Sequence, residues 1–205
     1  MIKQDLTGII LAGGKSERIG KDKRFLRLNG TYLIDYSIQT LSNITSAIII
    51  ASGKEQFAYK GFTCIQDITQ IEGPIAGLIP ALIYMHTPYA IVLPCDMPFV
   101  PKALFSFFIS LIKEPINIII PVISGRLQPL VGIYSKLLIE ELYPFVKTGE
   151  SSLSKFITSH SQMVRVVTQD ELEQAGFRKD LFLNINTMDD FVCASKMDDR
   201  CTLNG

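Results

Sequence analysis

The sequence has no charge of one sign to spare. Its 205 residues hold 20 Lys and Arg against 20 Asp and Glu, so it has no general pull toward nucleic acid or an anionic membrane, and any bound anion must be held by local geometry. Long apolar runs are also missing. Stretches such as Ile116 to Val122 and Ala47 to Ala51 fall far below the roughly 20 residues of a membrane span. The opening MIKQDLTGII carries an early Asp and has neither a long apolar region nor a small-residue cleavage site, so a cytoplasmic protein is expected. Cys64, Cys95, Cys193 and Cys201 form no CxxC pair and have no His at ligand spacing. They read as packed thiols rather than zinc ligands or disulfides. His86 and His160 have no Cys or carboxylate partners at ligand spacing and read as helix-end or surface residues. Lys-rich runs and interleaved aromatic and basic residues, which would suggest RNA, are absent, as are internal repeats, low-complexity segments and any linker that would divide the chain.

What is present is globular: 47% apolar and 20% charged residues, in one unit expected to bury roughly 70% of its unfolded surface. Short β-branched runs at Leu6 to Leu11, Ala47 to Ala51, Phe62 to Ile65, Ala90 to Leu93 and Ile116 to Val122 read as buried strands. Between them, Tyr32 to Leu41, Pro74 to Met85 and Pro101 to Ile112 have helical periodicity. The alternation predicts an α/β fold, a single-domain Rossmann-like three-layer sandwich with a mostly parallel sheet and helices on both faces. After Pro121 the order changes. SGRLQPLVGIY predicts a turn and a return strand, which makes the sheet mixed, followed by helices near Lys136 to Val146 and Ser151 to Thr158. Met163 to Val167 and Leu181 to Ile185 read as two further strands, Thr187 and Asp190 as a capping box, and the tail after Met197 as frayed.

The first strand runs into GIILAGGKSERIGKDK, Gly8 to Lys23. Glycines at a strand's carboxyl end leave N–H groups unobstructed where open α/β sheets bind ligands, and phosphate is the obvious guest. The Walker spacing fails, because Gly14 to Gly20 is one step too long and Lys21 precedes Asp22. The GxGxxG spacing is absent. What remains is LAGG with Ser16, Arg18, Gly20, Asp22 and Lys23, N–H donors and two long cations suited to a polyphosphate; the competing reading is a glycine turn with solvated charges. A second cluster, LPCDMPF, sets Asp96 just past a buried strand between Pro94 and Pro98. It reads either as a turn former or as a carboxylate for Mg²⁺, which binds few protein carboxylates and fills its shell with water and phosphate oxygens.

Leu11 to Lys23 resembles the MobA-type nucleotidyltransferase signature LAGGxSxRMGxDK, with Ile19 in place of Met, a volume-conserving exchange. The pattern of Asp67, then GPIAGL from Gly73 to Leu78, then LPCDMPF resembles the same family. The resemblance spans essentially the whole chain and implies a molybdenum cofactor guanylyltransferase. Such an enzyme transfers GMP from MgGTP to the phosphate of molybdenum-bound molybdopterin and releases pyrophosphate. It implies that Leu11, Ala12, Gly13, Gly14 and Lys23 cradle the nucleotide phosphates, that Lys23 and Arg18 neutralise the leaving group, that Asp67 borders the guanine nucleotide, and that Asp96 carries Mg²⁺. Asp67 in QDITQ also suits a plain turn or helix cap. Asn184 and Asn186 match an N-x-N stretch near the pterin, whose ring edge amides can both donate to and accept from; Asn186 or Thr187 also suits a helix cap. Arg126 reads equally as a phosphate contact or a solvated turn charge. The implied division is a nucleotide-binding N-terminal half and a pterin-side C-terminal half. Recipient molybdoenzymes or cofactor-delivery proteins are the implied macromolecular partners, with no nucleic acid and no membrane. The alternatives are a molybdopterin cytidylyltransferase, whose loop usually reads LAAG where this chain has Gly14, a relative with another phosphorylated acceptor, and a non-catalytic nucleotide-binding protein.

Overall fold

The computed structural model describes residues 5–13, 22–68 and 70–197. Along the chain these form β1 (Leu6–Leu11), a short antiparallel hairpin of β2 (Arg27–Leu28) and β3 (Thr31–Tyr32), α1 (Leu33–Ser42), β4 (Ala47–Ala51), β5 (Thr63–Ile65), α2 (Ile75–Tyr84), β6 (Tyr89–Pro94) and α3 (Lys102–Ser110). There follow β7 (Ile118–Ile123), β8 (Arg126–Leu127), β9 (Gly132–Ser135), α4 (Ile139–Lys147), α5 (Leu153–Ser159), β10 (Val164–Val167), α6 (Gln169–Gln174) and α7 (Met188–Ser195). The main sheet has eight strands in the order β10-β7-β9-β6-β1-β4-β5, with β8 folded back onto β7. β9 runs antiparallel to both β6 and β7, and β8 antiparallel to β7; the other pairings are parallel.

The central strands are apolar throughout because both faces are covered. From β1, Leu6 and Ile10 point into one layer with Ile34 and Leu41 of α1 and Leu104, Phe105 and Phe108 of α3. Ile9 and Leu11 point into the opposite layer with Ile75, Leu78 and Leu82 of α2, Leu142 of α4 and Phe156 of α5. The three-layer sandwich is as expected.

Two expectations need correction or restriction. Leu181 to Ile185 is not a strand: Lys179–Phe182 forms a turn of 3-10 helix and the chain beyond it is extended without a ladder. Leu181 and Phe182 instead pack into the core layer of α1 and α3, and Ile185 packs beside Leu28, Leu33 and Phe99. Gly14, Ser16, Arg18, Gly20 and the tail after Met197 lie outside the described residues.

Candidate functional site

The chain passes from β1 outward to β4 and β5, then returns to place β6 on the other side of β1. The crevice between the carboxyl ends of β1 and β6 is therefore a topological switch point, where open α/β sheets bind their ligands. Backbone bonds carry the ladder past the strand ends and fix four loops along this edge. Ala12 N–H donates to Ala51 O at 2.8 Å, Ser52 N–H to Ile65 O at 2.9 Å, Asp67 N–H to Gly53 O at 2.8 Å and Cys95 N–H to Leu11 O at 3.1 Å. Leu11, Ala12, Gly13, Asp67 and Asp96 are thus neighbours although 85 positions of sequence separate Leu11 from Asp96.

Gly13 and Gly77 are glycines because this edge is crowded. A Cβ on Gly13 would lie 2.9 Å from the Gly53 backbone and 3.1 Å from Asp67 Oδ2, and one on Gly77 would lie 2.7 Å from Asp67 Oδ1. Asp67 sits between these bare backbones and accepts the Gly53 N–H at 3.2 Å. Burial pushes its carboxyl above the usual range, while the Gly53 bond pulls the other way. Its loop is anchored by a proline. Pro80, inside α2, has no N–H to return to Ala76 four residues earlier, and the Ala76 carbonyl instead accepts the Ile68 N–H at 3.0 Å.

Lys23 opens a 3-10 turn, Lys23–Phe25, whose neighbours brace it on the β4 side. Arg24 donates to both Asp22 carboxylate oxygens and to Ser52 O, with its guanidinium 4.1 Å from the Phe57 ring centre. Lys23 reaches the other way: its Nζ donates to Asn186 Oδ1 at 2.6 Å and lies 3.5 Å from Asp96 Oδ2, with the Lys23 and Asp96 side chains only 17% and 19% exposed. Burial drives the Asp96 carboxyl upward against the pull of the Lys23 charge. Ile185 N–H donates to Asp96 O at 2.9 Å, which fastens the Asn184–Asn186 segment to the metal-type loop.

Three buried side-chain oxygens have no hydrogen-bond partner among the described residues: Asp180 Oδ1, and, at this site, Asp96 Oδ1 and Asn184 Oδ1. For Asp96 this fits a divalent cation. A single carboxylate suits Mg²⁺ completed by water and phosphate, and no group of three or more His, Cys, Asp or Glu that could hold a metal by themselves occurs among the described residues. Asn184 lines a cavity of about 490 Å³, together with Gly73, Pro74, Met97, Gln128 and Ser152.

The structure brings Leu11, Ala12, Gly13, Lys23, Asp67, Asp96, Asn184 and Asn186 to one edge. Arg126 is exposed on β8 and is not among the residues lining the cavity. Sequence reasoning missed Gly53 and the Asp22–Arg24 brace. The signal for Gly53 was a glycine two residues past a buried strand, the same signal that marked Gly13. Cys64, Cys95 and Cys193 are free thiols, and burial pushes those of Cys95 and Cys64 upward and away from reactivity.

A switch-point crevice with glycine-lined backbone, a lysine and a buried carboxylate fits a nucleotidyltransferase. The model of the MobA-like NTP transferase domain matches residues 8–166. A Clostridium perfringens protein named "Probable molybdenum cofactor guanylyltransferase" is 33% identical over 93% of this chain and 96% of its own length, and one of the same name from Bacillus cytotoxicus is 30% identical over 92% and 96%. The chain belongs to the MobA-like NTP transferase family. Its fold matches the Archaeoglobus fulgidus molybdopterin-guanine dinucleotide biosynthesis protein A with a TM-score of 0.77 at 23% identity, over 93% of this chain and 97% of that one. It also matches a Thermus thermophilus 2-C-methyl-D-erythritol 4-phosphate cytidylyltransferase with a TM-score of 0.69 at 14% identity, over 91% and 96%.

Proposed function

We propose that this protein transfers GMP from GTP to the terminal phosphate of molybdenum-bearing molybdopterin, giving the guanine dinucleotide cofactor and pyrophosphate. The observation that carries the reading is the meeting of Lys23, Asp96 and Asn186 at the β1–β6 switch point. The names carried by the curated relatives supply the acceptor and the base.

The backbone N–H groups of the LAGG turn receive phosphate oxygens, and Lys23 with Arg18 offsets negative charge gathering on the pyrophosphate leaving group. Asp67, beside Gly13 and Gly77, borders the nucleoside. Asp96 would hold Mg²⁺, which when bound would offset the negative charge that develops on the phosphates. The molybdopterin phosphate is already an anion at neutral pH, so no protein nucleophile is needed. The cavity beside Asn184, lined by Gly73, Pro74 and Met97 from the first half of the chain and by Gln128 and Ser152 from the second, gives the acceptor a place; the proposed division is a nucleotide-binding N-terminal half and a pterin-side C-terminal half. Work in the cytoplasm and hand-over of the product to molybdoenzymes or cofactor-delivery proteins complete the proposal. Among the described residues no helix is long and apolar enough to cross a membrane.

The test is direct. Purified protein given GTP, Mg²⁺ and molybdopterin should yield the dinucleotide by mass spectrometry with matching pyrophosphate release. In parallel titrations GTP should bind more tightly than CTP or ATP. Tighter CTP binding would overturn the choice of base, and nucleotide binding with no pyrophosphate released would overturn transfer itself.

A further inference from the structure

Asp190 is the third residue of α7 and closes a capping box with Thr187. It donates its N–H to the Thr187 hydroxyl at 3.1 Å, and its Oδ2 accepts the Thr187 N–H at 2.8 Å. A capping box is complete with those two bonds. Here the same Oδ2 also accepts the Asn186 N–H, at 3.0 Å. The other capping box in the chain, Thr168 with Glu171 at α6, shows the contrast. Its carboxylate spends its remaining capacity on Arg165, away from the crevice.

The extra bond falls on the residue whose side chain holds Lys23. Three consecutive N–H groups are tied down: Ile185 to the Asp96 carbonyl, then Asn186 and Thr187 to the Asp190 carboxylate. With its backbone fixed at both neighbours, the Asn186 amide has a set origin, and its Oδ1 receives the Lys23 ammonium at 2.6 Å. Lysine brings a point charge on a flexible four-carbon stem; the place of that charge is set by what receives it. The Thr187 hydrogen bond first, and then the two backbone N–H groups and the Lys23 charge, hold Asp190 below the ordinary carboxylate range, so it is an anion whenever the site is in use.

We infer that Asp190 is a positioning residue for the transfer reaction: by pinning the backbone of Asn186 it aims the amide that holds the Lys23 ammonium against the triphosphate. The inference rests on the proposed role of Lys23 as a phosphate ligand. It does not depend on guanine or pterin being the right partners.

The test is a double-mutant cycle read two ways: calorimetric binding of magnesium tripolyphosphate, which needs neither base nor acceptor, and kcat for dinucleotide formation from GTP. Asp190→Ala should weaken tripolyphosphate binding roughly tenfold and lower kcat by up to about a hundredfold, the cost of a small misplacement near the reacting atoms. In an Asn186→Ala background the same change should cost almost nothing further, because both act through one amide. Asp190→Asn, which keeps an oxygen acceptor, should recover most of the loss. Thr168→Ala, at the capping box of α6, serves as the control. It breaks the helix cap and should drop Tm by about 2 to 4 °C while leaving tripolyphosphate binding and kcat near those of the parent protein. Additive losses in the double variant, or equal loss from Thr168→Ala, would reduce Asp190 to a helix cap and overturn the inference. A parent protein that fails to bind tripolyphosphate also overturns it. A parent protein that binds tripolyphosphate but makes no dinucleotide overturns the proposed reaction alone, and the binding cycle still decides Asp190.

Discussion

The two carboxylate oxygens of Asp96 have different surroundings, with Oδ2 facing the Lys23 ammonium and Oδ1 buried without a partner among the described residues. A residue held this way is built for a ligand rather than for stability, since an unmatched buried oxygen costs about 1–3 kcal/mol. Asp96→Asn and Lys23→Ala should each lower kcat about a hundredfold to a thousandfold, roughly 3 to 4 kcal/mol, with circular dichroism showing an intact fold; near-normal turnover in either would remove that residue from the chemistry. Asp67 makes a second, pH-dependent case. Its carboxyl is raised in the folded protein by burial, so the folded state favours the protonated form. That advantage is complete at low pH and disappears as pH rises through the folded pKa. Asp67→Asn has no charge to desolvate and keeps an acceptor for the Gly53 N–H. Its Tm should exceed that of the parent at pH 7, the gap should close toward about pH 3, and nucleotide affinity should fall. A gap independent of pH would show that burial of the charge is not the cause.

Among the elements, β9 is the most constrained. It is wedged between β6 and β7, opposite Val92, and a Cβ on Gly132 would lie 2.3 Å from Ile119 O, a backbone atom that cannot swing aside. Gly132→Ala should therefore cost at least about 3 kcal/mol in denaturant melts, whereas an ordinary strand glycine gains from the change. The central strands were legible in the sequence because burial on both faces leaves an apolar run with no alternation to misread. Leu181 to Ile185 has the same look and is no strand. Leu181 and Phe182 are buried in the main core and Ile185 beside Leu28 and Phe99, and the backbone bond that reaches another part of the chain runs from Ile185 to Asp96; composition reports burial and is silent on which neighbour receives the N–H. α6 was invisible for the opposite reason: QDELEQ buries only Leu172, so no periodicity shows, although Thr168 and Glu171 spell a capping box. The β2–β3 hairpin was missed, although Asn29-Gly30, both at positive φ, is a pair that fits a tight hairpin turn. In the site, glycine and carboxylate positions stood out as motifs. The brace from Arg24 to Ser52 is a long-range pairing with no local pattern, and the one from Asp190 to Asn186, four residues apart, is a third bond added to a capping box that the sequence did show.

At the scale of the whole molecule, the crevice depends on sheet order. Its lysine, metal-type carboxylate and amides come from segments as far apart as Lys23 and Asn186, so a ligand that bridges them ties the ends of the fold together. Magnesium GTP at about a hundred times its Kd should stabilise the protein by roughly 2.7 kcal/mol, visible as a rise in Tm that chelation with EDTA reverses. A Tm unmoved by saturating magnesium GTP would mean that the nucleotide does not engage the folded crevice.

The start of α2 has a consequence of its own. Gly73 and Pro74 line the cavity beside Asn184, and one turn on, Gly77 presses against Asp67. One helical turn is thus all that separates the cavity from the Asp67 carboxylate. If the donor and acceptor of the proposed reaction lie on its two sides, any factor by which one alters the other's affinity must be the same in both directions.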